Sequence, residues 1–544
     1  MKNALMLSTA LTLGVVASFA MPIDQAKAER CLLDTNEDGD ADSNVDTVGT
    51  GTLSDTGDFE LACGVGAQAT GNLSTAVGAQ AVADASEATA LGFSADATAT
   101  DATALGTNSR ASGAQSLAVG QGAQATGTQS TAVGADAVAS FDNASAFGDR
   151  ASATGFNSTA IGSGATALDS STAVGALSDA TGLASAAFGP QSNASGQNAT
   201  ALGFGSAAGS TLSIAIGFAN APAEDAIAIG GRSDATMAGS IAIGGDGGDD
   251  GGDGAQATGS QSTAVGADAL ATGSSSTALG YSAEATMTGA TAVGQDSTAT
   301  AINSTALGQG AEAAATNSTA VGTFAVASML DASAFGVGAT ADGEGATAIG
   351  NIATADFNDS TAIGQSADVG GIGATALGAD ANAGAANAIA IGAQSNATAA
   401  GNVAIGGDGG DGDSLGAQAT GVNAIALGVD TAASGTGAMA FGSNSQGSEE
   451  NAAAFGVSTN AAGRNSTAVG FSAQTGDTAA SAFGTQANAS GSTSTAVGRL
   501  AASSGGGSTA IGNSASSSGN GSTAIGTLEL EETASVPIAV EPLP

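Results

Sequence analysis

The residues with types and spacing suited to chemistry are few, and nearly all are acidic. Asp34-Thr35-Asn36-Glu37-Asp38-Gly39-Asp40-Ala41-Asp42 fits the opening of a D-x-[DN]-x-[DN]-G cation loop. Oxygen ligands from Asp34, Asn36, Asp38, Asp40 and Asp42 around a glycine turn suit a hard cation, and calcium is the ion expected. Position 12 is Val45, where an EF-hand carries Glu, so the loop is closer to a short Asp-rich matrix-type loop. A solvated acidic loop is the other reading. Two further stretches, Gly244–Gly254 and Gly406–Asp413, contain G-G-x-G-x-D. Asp246, Asp249, Asp408 and Asp411 are their candidate cation ligands. Each stretch is single, whereas stacked calcium repeats need consecutive copies, so a plain acidic glycine loop competes. Cys31 and Cys63 are the sole cysteines and bracket the first acidic segment.

Other chemistry is missing. The chain has no His, so it has no His-based triad and no zinc site of the usual kind. Its Ser and Thr residues fall in repeat columns with no paired base, and no carboxylate pair marks a cleft. Gly-x-Gly fragments lack a following helix and make no phosphate loop. The expectation is a protein that is not an enzyme. The net charge is −41, which repels nucleic acid and anionic headgroups.

The start of the chain reads as an export signal over residues 1–28. Lys2 supplies the positive end, Ala4 to Ala20 the apolar stretch, and Ala26-Lys27-Ala28 the cleavage site. Glu29 would then open the mature chain, with no membrane span after it. Export in turn favours one disulfide between Cys31 and Cys63.

The elements that must position these groups are set by a repeat. Of 544 residues 86 are Gly, Trp is absent and Tyr occurs once. Such a composition cannot fill an ordinary core. Taking the glycine of Ser74-Thr75-Ala76-Val77-Gly78 as a marker, equivalents recur thirty-three times from Gly64 to Gly526. Twenty-eight of the thirty-two spacings are 14; two are 13, ending at Gly175 and Gly230, and two are 22, ending at Gly266 and Gly428. We number positions from this glycine. Position −2 is always Ala; −1 is Val, Leu, Ile or Phe, except for Cys63; −3 is usually Thr; Ala recurs at +3 and +5.

These are two short strands of period 2 per repeat, joined by glycine turns. A helix would carry Gly at a cost of about 1 kcal/mol each. The expected fold is therefore all-β, a parallel β-roll or solenoid of about 33 coils of 14 residues (residues 64–526). An acidic N-terminal segment (29–63) precedes it. Loop inserts fall near 245–254 and 407–416, and a flexible, acidic, Pro-containing tail (527–544) follows. At roughly 4.8 Å per coil the stack would be a rod on the order of 160 Å long.

Alanines at −2, +3 and +5 must form the interior of so narrow a coil. Parity then turns −1 and −3 outward. A row of large apolar side chains would face water, which marks an interface. Parallel copies of the same chain packed by closed symmetry are its expected cover. Val77, Val133, Ile161, Val293, Ile349 and Val469 are the expected contact residues between copies.

Repeats such as Asn157-Ser158-Thr159-Ala160-Ile161-Gly162 and Asn303-Ser304-Thr305-Ala306-Leu307-Gly308 resemble the head repeats of YadA-like trimeric autotransporter adhesins. The resemblance covers about residues 64–526. It implies a left-handed roll, a homotrimer, exposure at a bacterial surface or secretion, and attachment to matrix, glycan or cell-surface ligands. That family continues into a neck, a coiled-coil stalk and a membrane anchor, and none is recognisable in the eighteen residues after Gly526. The competing functions are a structural spacer or biofilm-matrix fibre, and an ice- or mineral-binding solenoid presenting its Thr row.

Overall fold

A computed structural model describes residues 60–248, 252–410, 412 and 415–526, with the backbone of strands 32–33, 52–53 and 538–540. The chain forms two units, 1–181 and 182–544. In the first, three-residue strands run from Leu61–Cys63 to Thr172–Val174 and two-residue strands from Gln68–Ala69 to Asp179–Ala180. In the second they run from Ala186–Phe188 to Thr523–Ile525 and from Asn193–Ala194 to Ser516–Ser517. Within each unit, each strand pairs in parallel with its equivalent one coil later. Thr75, Ala76 and Val77 lie opposite Thr89, Ala90 and Leu91, and Thr291, Ala292 and Val293 opposite Thr305, Ala306 and Leu307. The fold is an all-β parallel solenoid of thirty-three three-residue strands, with no helix among the described residues.

The turns explain the sequence columns. Positions +2 and −5 adopt the left-handed conformation, as in Asn108 (φ 56°), Asp136 (φ 53°) and Asn157 (φ 53°), which Asn and Asp tolerate best among non-glycines. The marker glycine lies further out, at φ +141° in Gly350, a region essentially closed to other residues. A Cβ there would also sit 2.1 Å from the Gly364 carbonyl oxygen of the next coil. That double constraint is why every repeat keeps this glycine.

The interior is the expected Ala lattice, with Ala69, Ala76, Ala81 and Ala83 fully buried. The largest of the fully buried side chains is the single Val369. One interior column was not anticipated. Position −4 also points inward, and Ser74, Ser130 and Ser158 are fully buried there. Parity from −2 demands this. The Ser158 hydroxyl is reconciled with burial by donating to the Gly155 carbonyl at 2.7 Å. Serines at +3 do the same at the other turn, Ser109 donating to the Gly106 carbonyl at 2.8 Å.

Irregular coils leave the pairing intact. The 13-residue coil ending at Gly175 still sets Thr159 opposite Thr172. Across the 22-residue spacings Ile241 pairs with Thr263 and Val403 with Ile425, so each insert is confined to the corner after the marker glycine.

Both ends differ from the expected domain limits. Thr52–Leu53 pairs in parallel with Gln68–Ala69, so coiling begins before residue 64. Leu32–Leu33 lies antiparallel on Leu61–Cys63, and Ile538–Val540 lies antiparallel on Thr523–Ile525. The segment 527–544, expected to be flexible, thus holds a strand that covers the last sheet edge. An uncovered edge offers unpaired N–H and C=O groups to any other strand.

Candidate interaction surface

The surface is built by the three-residue strands. Their middle residue enters the core, so the first and third project outward. Val77, Val133, Val293 and Val469 stand half-exposed as third residues. Ile161 and Ile349 are 40% and 39% exposed, and Leu91 reaches 42%. The −3 neighbours Thr75, Thr89 and Thr103 are half-exposed beside them. Six of the six expected contact residues therefore lie on the outward face, three in each unit.

Charge separates this face from the rest. No Asp, Glu, Lys or Arg occupies −1 or −3 in any of the thirty-three repeats, although the chain carries 49 acidic residues. The opposite strand column, +4, holds Asp96, Arg110, Asp179, Asp234, Glu284, Glu312 and Asp368. Arg110 Nε lies 3.8 Å from Asp96 Oδ2 one coil earlier. Partial burial against the ladder pushes the Asp96 carboxyl above its ordinary value, with Arg110 opposing the rise. Partial burial raises Asp234 likewise, opposed by the hydrogen bond from Asn220. At a turn corner Arg464 Nη2 and Glu450 Oε2 pair at 2.7 Å.

The two inserts are structural twins. The Asp246 N–H donates to the Gly231 carbonyl, and the Asp408 N–H to the Ala393 carbonyl, both at 3.2 Å. The Gly248 N–H donates to Asp246 Oδ1 at 3.0 Å, and the Gly410 N–H to Asp408 Oδ1 at 2.9 Å. The Gly247 N–H donates to Asp268 Oδ1 at 3.0 Å, matched by Gly409 on Asp430 Oδ1 at 2.9 Å. The loops thus fold over the coil that follows and do not simply protrude. Asp268 and Asp430 escaped the reading of the sequence. The available signal was an Asp at +2 in the coil after each insert, against Gln, Ser, Asn or Gly in many other coils.

The carboxylate of Asp246 is also engaged by Arg232 Nη1 at 3.2 Å, which leaves fewer free oxygens for a cation. Asp249 and Asp411 lie outside the described residues. So do Asp34, Asn36, Asp38, Asp40, Asp42, Cys31 and the expected export signal. Among the described residues no cluster of three or more His, Cys, Asp or Glu side chains is placed to hold a metal. Cys63 is disulfide-bonded. Among the described residues no helix is long and apolar enough to cross a membrane.

The repeat pattern and this geometry agree with a known family. The family model for the YadA head domain repeat (2 copies) matches in successive stretches from 69–95 through 252–325 to 503–528. Comparison with curated proteins returns no match. With matches spread over most of the coil stack, the chain belongs to the YadA-like head family, whose members are adhesin heads.

Proposed function

We propose that this chain is an extracellular, adhesin-like binding head, assembled as a parallel homotrimer through its uncharged outward face. The observation that carries the reading is the half-exposed ladder of Val, Leu, Ile and Phe, free of charge on a chain of net charge −41. Copies so acidic repel one another everywhere else. The one face they can share is the face without charge. Three chains, a left-handed roll and exposure at the cell surface follow the family. The remaining corners and the +4 face would meet matrix, glycan or cell-surface ligands. Nothing in this arrangement calls for catalysis.

Light scattering of the mature chain after size exclusion, with and without calcium, tests this. A mass of three chains supports it, and a single-chain mass refutes the shared face. Any calcium dependence of the mass or melting temperature would point to the Asp34–Asp42 segment. An overlay on glycans and collagen separates adhesion from a spacer or biofilm-matrix role.

One observation favours a second reading, ice or mineral binding. Thr263, Thr277, Thr291, Thr305 and Thr319 form an unbroken, half-exposed row on five paired strands. Their spacing is one strand interval, about 4.8 Å. In a trimer that row is covered, so a single-chain mass would bring this reading forward.

A further inference from the structure

The outward face is not uniform within residues 182–544. Through nine consecutive coils, from Thr263 to Thr375, the first outward position is Thr or Ser. On either side it becomes apolar. Ile214 and Ile216, Ile227 and Ile229, and Ile241 and Ile243 form one block of three coils. Ile389 and Ile391, Val403 and Ile405, Ile425 and Leu427, and Met439 and Phe441 form another of four. Every one of these side chains is half-buried in the single chain. The coils Ile241–Ile243 and Val403–Ile405 lead directly into the two inserts.

A self-assembling stack of near-identical coils has a register problem. Sliding one copy by one coil, about 4.8 Å, sets Thr-Ala-Val against Thr-Ala-Val again, and the energy scarcely changes. Period alone cannot choose the alignment, just as a featureless strand slips along its partner. The doubly apolar blocks remove that degeneracy. In register, Ile rows meet Ile rows. After a slip, Ile rows cover Thr hydroxyls, which lose water without gaining a partner. A slip that laid one block over the other would still leave a mismatch, because one spans three coils and the other four.

We infer that the two apolar blocks, 214–243 and 389–441, fix the axial register between copies of this chain. This rests on the self-association proposed above. The test uses the full chain. In one variant Ile214, Ile227, Ile241, Ile389, Val403, Ile425 and Met439 are all replaced by Thr, which removes both blocks and leaves only Thr or Ser in the column from Thr200 to position 439, here called the uniform background. Chains bearing Val293→Cys and Val321→Cys, two coils apart, are co-expressed on the parent and on the uniform background. A short bifunctional maleimide then links neighbouring copies. On the parent background the 293–321 link should be rare beside the like-with-like links. On the uniform background it should rise several-fold at unchanged mass. An unchanged link pattern overturns the inference. So does dissociation of the uniform variant, since the blocks would then supply affinity and not register. A parent that is itself a single chain gives no links and defeats the assembly reading instead.

A second variant works by gain. Thr200→Ile, Ile241→Thr, Thr375→Ile and Met439→Thr move both blocks one coil towards the N-terminus. Co-expressed with the parent, Leu279→Cys on the shifted chain should link to Val293→Cys on the parent. Preferential links between equal positions overturn the inference even if the uniform variant fails to fold.

Discussion

Replacing a marker glycine should open the stack at one coil. Gly322 has φ +138°, and a Cβ on it would stand 2.2 Å from the Gly336 oxygen and 2.5 Å from the Gly336 carbon. Both atoms are backbone, so neither can swing aside. Relief requires separating two coils where the Gly336 N–H donates to the Val321 carbonyl at 2.8 Å. The conformational penalty is about 1–3 kcal/mol, the overpacking about 1–3 kcal/mol, and the weakened hydrogen bond about 1 kcal/mol. Gly322→Ala should therefore destabilise its coil by roughly 3–7 kcal/mol. Gly338 is the matched control. Its φ is +63° and a Cβ would meet only Ile352 Cγ1 at 3.7 Å, while Asn108 holds the same position in its coil at φ 56°. Gly338→Asn should stay within about 0.5 kcal/mol of the parent, its backbone cost offset by a less flexible unfolded chain. Native-state hydrogen exchange reads the difference locally, because each coil contacts chiefly its neighbours. Amides of Val321 to Gly336 should exchange at least about a hundredfold faster in Gly322→Ala, and those near Gly470 much less so. Equal protection in the two variants would refute the close-approach account of the repeat glycine.

Other perturbations probe the surfaces. Val293→Asp places a charge on the uncharged face and should reduce the assembly to single chains by light scattering, whereas Glu312→Ser on the opposite column should leave the mass unchanged. The exposed Asp356 carboxyl is raised above 3.8, first by partial burial and then by the charges of Asp342 and Asp368. The folded chain therefore holds that proton more tightly than the unfolded one, and stability falls as pH climbs from 3.8 through the raised value. Asp356→Asn should melt higher than the parent at neutral pH and equal it below pH 3.8; a pH-independent difference would exclude the charge as the cause. Val540→Pro, opposite Thr523 in the antiparallel pair, should break the covering strand by removing an N–H that faces the sheet. Faster exchange of the Thr523–Ile525 amides is the expected result, and unchanged protection would show that the edge is covered without it.

Much of this architecture is legible in the one-dimensional pattern, because a period-2 strand inside a 14-residue coil leaves little freedom. Ala76 and Val77 are adjacent, so if one is buried the other is not. The inserts announce themselves as the two 22-residue spacings. Composition, by contrast, concealed Ser158. A hydroxyl reads as a surface group until the turn supplies a carbonyl three residues back to accept its proton.

What the sequence by itself determined is periodic and local: the coil length, the Ala interior and the outward apolar ladder. Each follows from side-chain alternation and size, repeated until chance is excluded. What only the tertiary structure decided is how one coil meets the next. The Gly350 backbone closes on Gly364, Asp268 and Asp430 hold the inserts down, and reversed strands cover the terminal edges. Those contacts join residues whose relation is set by the stacking distance between coils, and no spacing within a single repeat encodes that distance.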